Sequence, residues 1–147
     1  MLSDKKYYFA YGSNMPQKEM SLRCPQAIFI DKGKLRNYRF MVNREGYGSI
    51  IEDTRYMVYG VVWSISSKDE IILDEYEEIS RGLYEKRYLF IETLSLGIVR
   101  AFVYIATNRF SGSPRKGYVE KIIESAAYLK FPESYIKELR EWQKKGR

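Results

Sequence analysis

Residues 57–65, Met-Val-Tyr-Gly-Val-Val-Trp-Ser-Ile, are nearly all apolar. A half-buried strand alternates apolar and polar side chains, so a run without alternation predicts a strand covered on both faces. Gly60 interrupts the run and marks a bulge or the close approach of another backbone. A chain with such a strand must supply enough other elements to cover it.

The remaining segments can do so. Residues 7–10 are a short apolar strand, and residues 27–30 form another before a turn signal at Lys32-Gly33. Residues 35–42 alternate with period two. Two glycines make residues 43–48 a loop or hairpin connection, and residues 49–52 form a short strand. Residues 84–94 and 98–106 read as antiparallel partners around Gly97. Between these sets the period changes. Ser67 and Glu70 have capping-box spacing, and Ile72, Leu73, Tyr76 and Ile79 follow at helical intervals until Arg81-Gly82. After a Ser/Gly/Pro-rich loop at 107–117, one helix presents Tyr118, Ile122, Ser125, Ala126 and Leu129 on a single face. Another begins at Pro132 and presents Tyr135, Ile136, Leu139 and Trp142. Short, mostly antiparallel strands that leave few edges predict an α+β fold: a small mixed, mostly antiparallel β-barrel with peripheral helices. The 147 residues show neither linker nor repeat, so a single domain over 1–147 is expected. Barrel mouths are common ligand sites.

Absences narrow the chemistry. The chain has no His and one Cys, Cys24, which excludes Ser-His-Asp and Cys-His catalysis, His-ligated zinc and an internal disulfide. Cys24, before Pro25, reads as a small buried apolar residue. Proton transfer must therefore fall to Glu, Asp, Tyr, Lys or a substrate group. No cofactor and no metal are expected. The start, Ser3-Asp4-Lys5-Lys6, carries no secretory signal pattern, and no apolar run has membrane-spanning length, so a cytoplasmic protein without membrane contact is expected. The net charge of +6 lies partly in the tail, at Lys144, Lys145 and Arg147. The other basic residues are interleaved with acids, so no nucleic-acid partner is expected.

Two features could carry function. In Tyr8-Phe9-Ala10-Tyr11-Gly12-Ser13-Asn14 a strand stops at a turn and Pro16 opens a helix, with Asn14 placed to cap it. Unpaired amides at such a turn can hold an oxygen, although taken alone the stretch reads first as a strand-turn-helix corner. The second feature is the acidic run Asp74-Glu75-Tyr76-Glu77-Glu78 at a helix C-terminus, where the dipole disfavours negative charge. These acids are either a solvated face or include a retained functional carboxylate. A carboxylate held in apolar surroundings, which Tyr76, Ile79, Leu83 and Tyr84 could supply, would be a general base.

The chain resembles the γ-glutamylcyclotransferase-like family. Tyr8 to Asn14 are similar to its Tyr-Gly-Ser-Asn loop, and Gly60-Val61-Val62-Trp63 to its central strand. Leu73-Asp74-Glu75-Tyr76-Glu77 resembles its Leu-Asp-x-x-Glu segment. Arg81-Gly82-Leu83-Tyr84 and Phe102-Val103-Tyr104 match its paired strands, and Tyr118, Ile122, Ala126, Pro132 and Tyr135 its C-terminal signature. The chain departs from the family at Glu78, Ser125 and Lys130, where glycine is usual. The resemblance implies a cyclotransferase that releases 5-oxoproline and an amine from a small γ-glutamyl substrate, as a monomer or homodimer. It implies Glu77 as the general acid/base, with Tyr8, Phe9, Ala10, Tyr11, Gly12, Ser13, Asn14 and Tyr104 at the substrate. The glutathione-specific branch has another residue where Asn14 stands, so intact glutathione is not the expected substrate. Two other readings stand beside this one. A non-catalytic ligand-binding module on the same fold would follow from the lost glycines. A basic nucleic-acid binder would follow from the charge and the 14 tyrosines.

Overall fold

The doubly covered strand is the spine of a closed five-stranded barrel, seen in a computed structural model that describes residues 4–146. Ser3 and Arg147 lie outside the described residues. The spine, β3 (Gly48–Ile65), pairs antiparallel with β1 (Lys6–Ala10) on one side and β2 (Ile28–Val42) on the other. β4 (Tyr84–Thr93) and β5 (Gly97–Ala106) form a hairpin, and the order round the barrel is β1-β3-β2-β4-β5. Closure comes from parallel pairing of β1 with β5 at Tyr8 and Phe102, which makes the sheet mixed. Helices α1 (Gln17–Arg23), α2 (Ser67–Tyr76), α3 (Tyr118–Tyr128) and α4 (Glu133–Gln143) complete the fold. α3 and α4 bury the expected faces, through Ile122 and Ala126 on one and Tyr135, Ile136, Leu139 and Trp142 on the other. Among the described residues no helix is long and apolar enough to cross a membrane.

Phe9, Val61, Val62, Trp63, Ile91 and Phe102 are fully buried in the barrel core. Gly60 permits that packing. A Cβ there would stand 2.4 Å from the Ala10 carbonyl oxygen and 2.8 Å from the Phe9 ring. Gly33 lies directly opposite Gly60 in the ladder, and a Cβ on it would come within 2.6 Å of the Ile91 side chain. The Lys32-Gly33 turn expected from sequence is therefore absent. Gly33 is a site of close packing inside one 15-residue strand. Likewise, the strands expected at 49–52 and 57–65 are one strand. The ladder slips between Arg36–Met57 and Tyr38–Glu52, so four residues of β3 face Asn37 alone, whose φ is 69°. The expected break survives as a bulge in the register while the strand runs on.

Two caps also differ. Ser66 rather than Ser67 is the N-cap of α2, its hydroxyl accepting from Asp69 N–H at 3.2 Å. Asn14 does not cap α1. Met15 N–H closes a turn on Gly12 O at 3.1 Å, so Asn14 lies inside the turn, and Pro16 is the N-cap without a side-chain hydrogen bond. In the tail, Lys144 pairs with Glu141 at 3.1 Å and Lys145 lies over the Trp142 ring.

Gly60→Ala is expected to lower the urea-unfolding free energy by about 1–3 kcal/mol through overpacking against β1. Gly82→Ala separates the two costs a glycine can hide: its Cβ meets nothing within 4 Å, and its φ of +72° alone sets a loss of about 1–2 kcal/mol.

Candidate active site

Several elements end at one mouth of the barrel. β1 runs out at Ala10 into the Gly12-Ser13-Asn14 turn, β3 starts at Gly48, β4 at Tyr84 and α3 at Tyr118. α2 ends at Tyr76, and Glu77 is its C-cap, donating its N–H to Leu73 O at 2.9 Å. Glu78 then enters the left-handed region at φ 53°, and the chain turns through Ile79–Arg81 to Gly82 before entering β4. The reversal leaves Glu77 facing the barrel end.

These residues line a recess of about 30 Å³ that shares Ser13, Glu77, Tyr84 and Tyr118 with a wider space beside it. Tyr8, Phe9, Tyr11, Gly12, Ser13, Asn14, Gly48, Glu77, Tyr84, Tyr104 and Tyr118 line the recess. Glu77 and the Gly-Ser-Asn turn, far apart in the chain, thus share one cavity. Ala10 does not line it: its carbonyl packs over Gly60 in the sheet. Gly48, Tyr84 and Tyr118 do line it, although sequence reasoning assigned Gly48 to a hairpin loop and Tyr118 to a helix face. The readable signal was position, because each begins a regular element. Outside the recess, between Ser13, Tyr47, Tyr76, Glu77 and Glu78, a wider space of about 280 Å³ opens to the surface.

Hydrogen bonds hold the lining. Asn14 is buried, and its Nδ2 donates to the Tyr8 hydroxyl at 3.0 Å while its Oδ1 accepts from the Arg23 guanidinium. Its carbonyl accepts from the Trp63 indole N–H at 3.0 Å. Tyr11 donates to Tyr104 O at 2.7 Å, and Tyr84 to Gly48 O at 2.7 Å. The Tyr118 hydroxyl accepts from Gly48 N–H at 2.9 Å and so retains a proton to give. The Tyr104 hydroxyl donates to Asp74 Oδ1 at 2.6 Å, and Lys86 fixes that carboxylate at 3.0 Å. Tyr104 therefore faces the recess as an acceptor. Among the described residues the amides of Gly12, Ser13 and Asn14 have no hydrogen-bond partner.

The electrostatics select Glu77. Burial pushes its carboxyl up to about 7, with the Arg23 guanidinium pulling it down and Glu78 pushing it up. Glu78 thus has the effect expected of a like charge, as the second contribution upward after burial. Burial also raises the Tyr8, Tyr84, Tyr104 and Tyr118 hydroxyls, so the recess is walled by neutral phenols. Cys24 is buried outside the recess, its thiol raised to about 11 by burial, and is inert. Among the described residues no cluster of His, Cys, Asp and Glu could hold a metal ion.

A small closed barrel with one poised carboxylate opposite a Gly-Ser-Asn turn defines the class. The AIG2-like family matches residues 57–139, more than half of the chain, and the protein belongs to that family. It is similar to the gamma-glutamylcyclotransferase of Mus musculus, 28% identical over 90% of this chain and 76% of the relative. The Homo sapiens gamma-glutamylcyclotransferase is 27% identical over the same shares. A solved gamma-glutamyl cyclotransferase superposes with a TM-score of 0.85 at 25% identity, covering 92% of this chain and 86% of that one.

The raised acid makes stability depend on pH. The native state holds the Glu77 proton between the ordinary value, 4.5, and about 7, while the unfolded chain has lost it. Folding stability from this group is complete below 4.5 and falls as pH rises through 7. Urea unfolding at pH 5 and pH 8 is expected to show this loss in the parent, and Glu77→Gln is expected to remove it.

Proposed function

We propose that this protein is a γ-glutamylcyclotransferase and that Glu77 is its general acid/base. The observation that carries the reading is the shared recess of Glu77 and the Gly12-Ser13-Asn14 turn. In the reaction the substrate α-amine attacks its own γ-carbonyl carbon. A C–N bond forms to close the five-membered ring, the original amide C–N bond breaks, and 5-oxoproline and a free amine leave. No water is consumed. The nucleophile belongs to the substrate, which suits a recess without His or thiol, and folding the glutamyl chain into a near-attack shape supplies much of the rate.

Each part of the lining has a task in this scheme. Ionised Glu77 takes the proton released by the attacking amine and returns it to the departing nitrogen. A carboxyl near 7 is suited to both transfers at neutral pH. The unpartnered amides at Gly12, Ser13 and Asn14, with the Tyr118 hydroxyl beside Gly12, hold the glutamyl carboxylate or the developing oxyanion. Tyr8 keeps its proton for the same purpose, because its oxygen accepts from Asn14. Tyr104, its proton committed to Asp74, accepts an N–H of the α-amine and turns the lone pair toward the carbonyl. Phe9 and Tyr11 shape the recess that receives the reacting end of the glutamyl chain, whose remainder lies in the adjoining space beside Glu77.

Mass-spectrometric detection of 5-oxoproline from a panel of γ-glutamyl compounds tests the proposal. Glu77→Gln is expected to lower turnover by about 10²–10⁴-fold. Undiminished activity in that variant would remove Glu77 from the role. The rate is expected to rise with pH through an inflection near 7, where Glu77 ionises. Tyr104→Phe is expected to lower kcat while leaving the inflection in place, since it removes an orienting acceptor and not the base.

A further inference from the structure

Beside the recess lies a larger cleft of about 370 Å³, and Gly12, Ser13 and Tyr118 line both. The two differ in charge. No basic side chain lines the recess, whereas Arg23, Arg115, Lys116 and Lys121 border the cleft against one acid, Glu19. The four cations come from the end of α1, the loop before α3 and the first turn of α3. Some basic side chains elsewhere form ion pairs, Lys86 with Glu70 and Asp74 and both Arg39 and Arg55 with Asp53. Others among the described residues, such as Lys18 and Arg140, stand singly on the surface; the four around the cleft differ in converging on one space. Among the described residues, none of the four around the cleft forms an ion pair with a carboxylate.

Two of the four are already held in place. The Arg23 guanidinium lies 3.6 Å from the Tyr76 ring centre and donates to Asn14. Arg115 lies 4.6 Å from the Tyr47 ring centre, and its Nε donates to Glu45 O at 2.8 Å. A guanidinium fixed by a ring and one hydrogen bond loses little freedom on meeting an anion and keeps other N–H donors for it. The surplus of unmatched positive charge exceeds what a lone carboxylate would neutralise.

We infer that this cleft is the subsite for the leaving half of the substrate and selects a leaving amine with two or more carboxylates, such as an acidic amino acid or a short acidic peptide. The inference rests on the cyclotransferase reading, which places the reacting end of the glutamyl half at the recess. The leaving nitrogen then exits past Ser13 and Tyr118 into the cationic cleft.

The test compares γ-glutamyl-glutamate, γ-glutamyl-alanine and γ-glutamyl-ethylamide as substrates of the full-length protein. The expected order of kcat/KM is dicarboxylate, then monocarboxylate, then neutral amide, with roughly tenfold between the first and the last at low salt and less at high salt. Lys116→Ala combined with Lys121→Ala is expected to collapse the ratio of the first to the last. Equal kcat/KM for the three substrates, or a ratio that survives the double substitution, overturns the inference. If none yields 5-oxoproline, the cyclotransferase reading fails. Calorimetric binding of the same three compounds then decides the subsite: tighter binding of the dicarboxylate, lost in the double variant, upholds it, and equal binding overturns it.

Discussion

Asn14 ties helix α1 to two strands, β1 and β3, that are already paired in the barrel. Its side chain spans the Tyr8 hydroxyl on β1 and the Arg23 guanidinium on α1, and its carbonyl takes the indole proton of Trp63 on β3. A buried amide costs free energy unless its polar groups are paired, and here the pairing sets the shape of the turn. Gly12, Ser13 and Asn14 line the recess with their amides unpartnered among the described residues, while the Asn14 side chain is engaged by Tyr8 and Arg23. Arg23, held over Tyr76 by the same bond, brings a positive charge near Glu77 and stands at the entrance to the cationic cleft.

The acid is balanced against that arrangement. Burial alone would keep Glu77 protonated, and Arg23 draws it back toward neutrality. The backbone conformation at Glu78 is what turns Glu77 inward, and a non-glycine residue at φ 53° carries a conformational cost. Lys130 is in the same state at φ 59° just past α3. Two of the three positions where this chain departs from the glycine-bearing pattern of its resemblance are therefore left-handed, which accounts for glycine being usual there. Ser125, the third, is a buried helix residue whose small side chain fits the packing.

Much of this could be read from the chain. Unbroken hydrophobicity at 57–65 required a doubly covered strand, and alternation in the other segments supplied its neighbours. The helical faces at 118–129 and 132–142 were legible because helical periodicity survives in a single sequence. The errors share one cause. Gly33 looks like a turn and acts as a packing gap, because only the partner strand reveals Gly60 opposite and Ile91 above it. Asn14 looks like a cap and acts as a buried brace, because its partners lie on β1, α1 and β3. Ala10 looks like part of a binding loop and belongs to the sheet.

The sequence by itself determined the chemical repertoire: no imidazole, an inert thiol, and a carboxylate at the wrong end of a helix. Local periodicity determined the elements, because it depends on neighbours a few residues away. Only the tertiary structure decided that Glu77 shares a recess with Gly12 and Ser13, that Tyr104 presents an acceptor, and that four cations from separate stretches meet around one cleft. Those outcomes depend on desolvation and on distances across the barrel mouth, and neither is encoded in spacing along the chain.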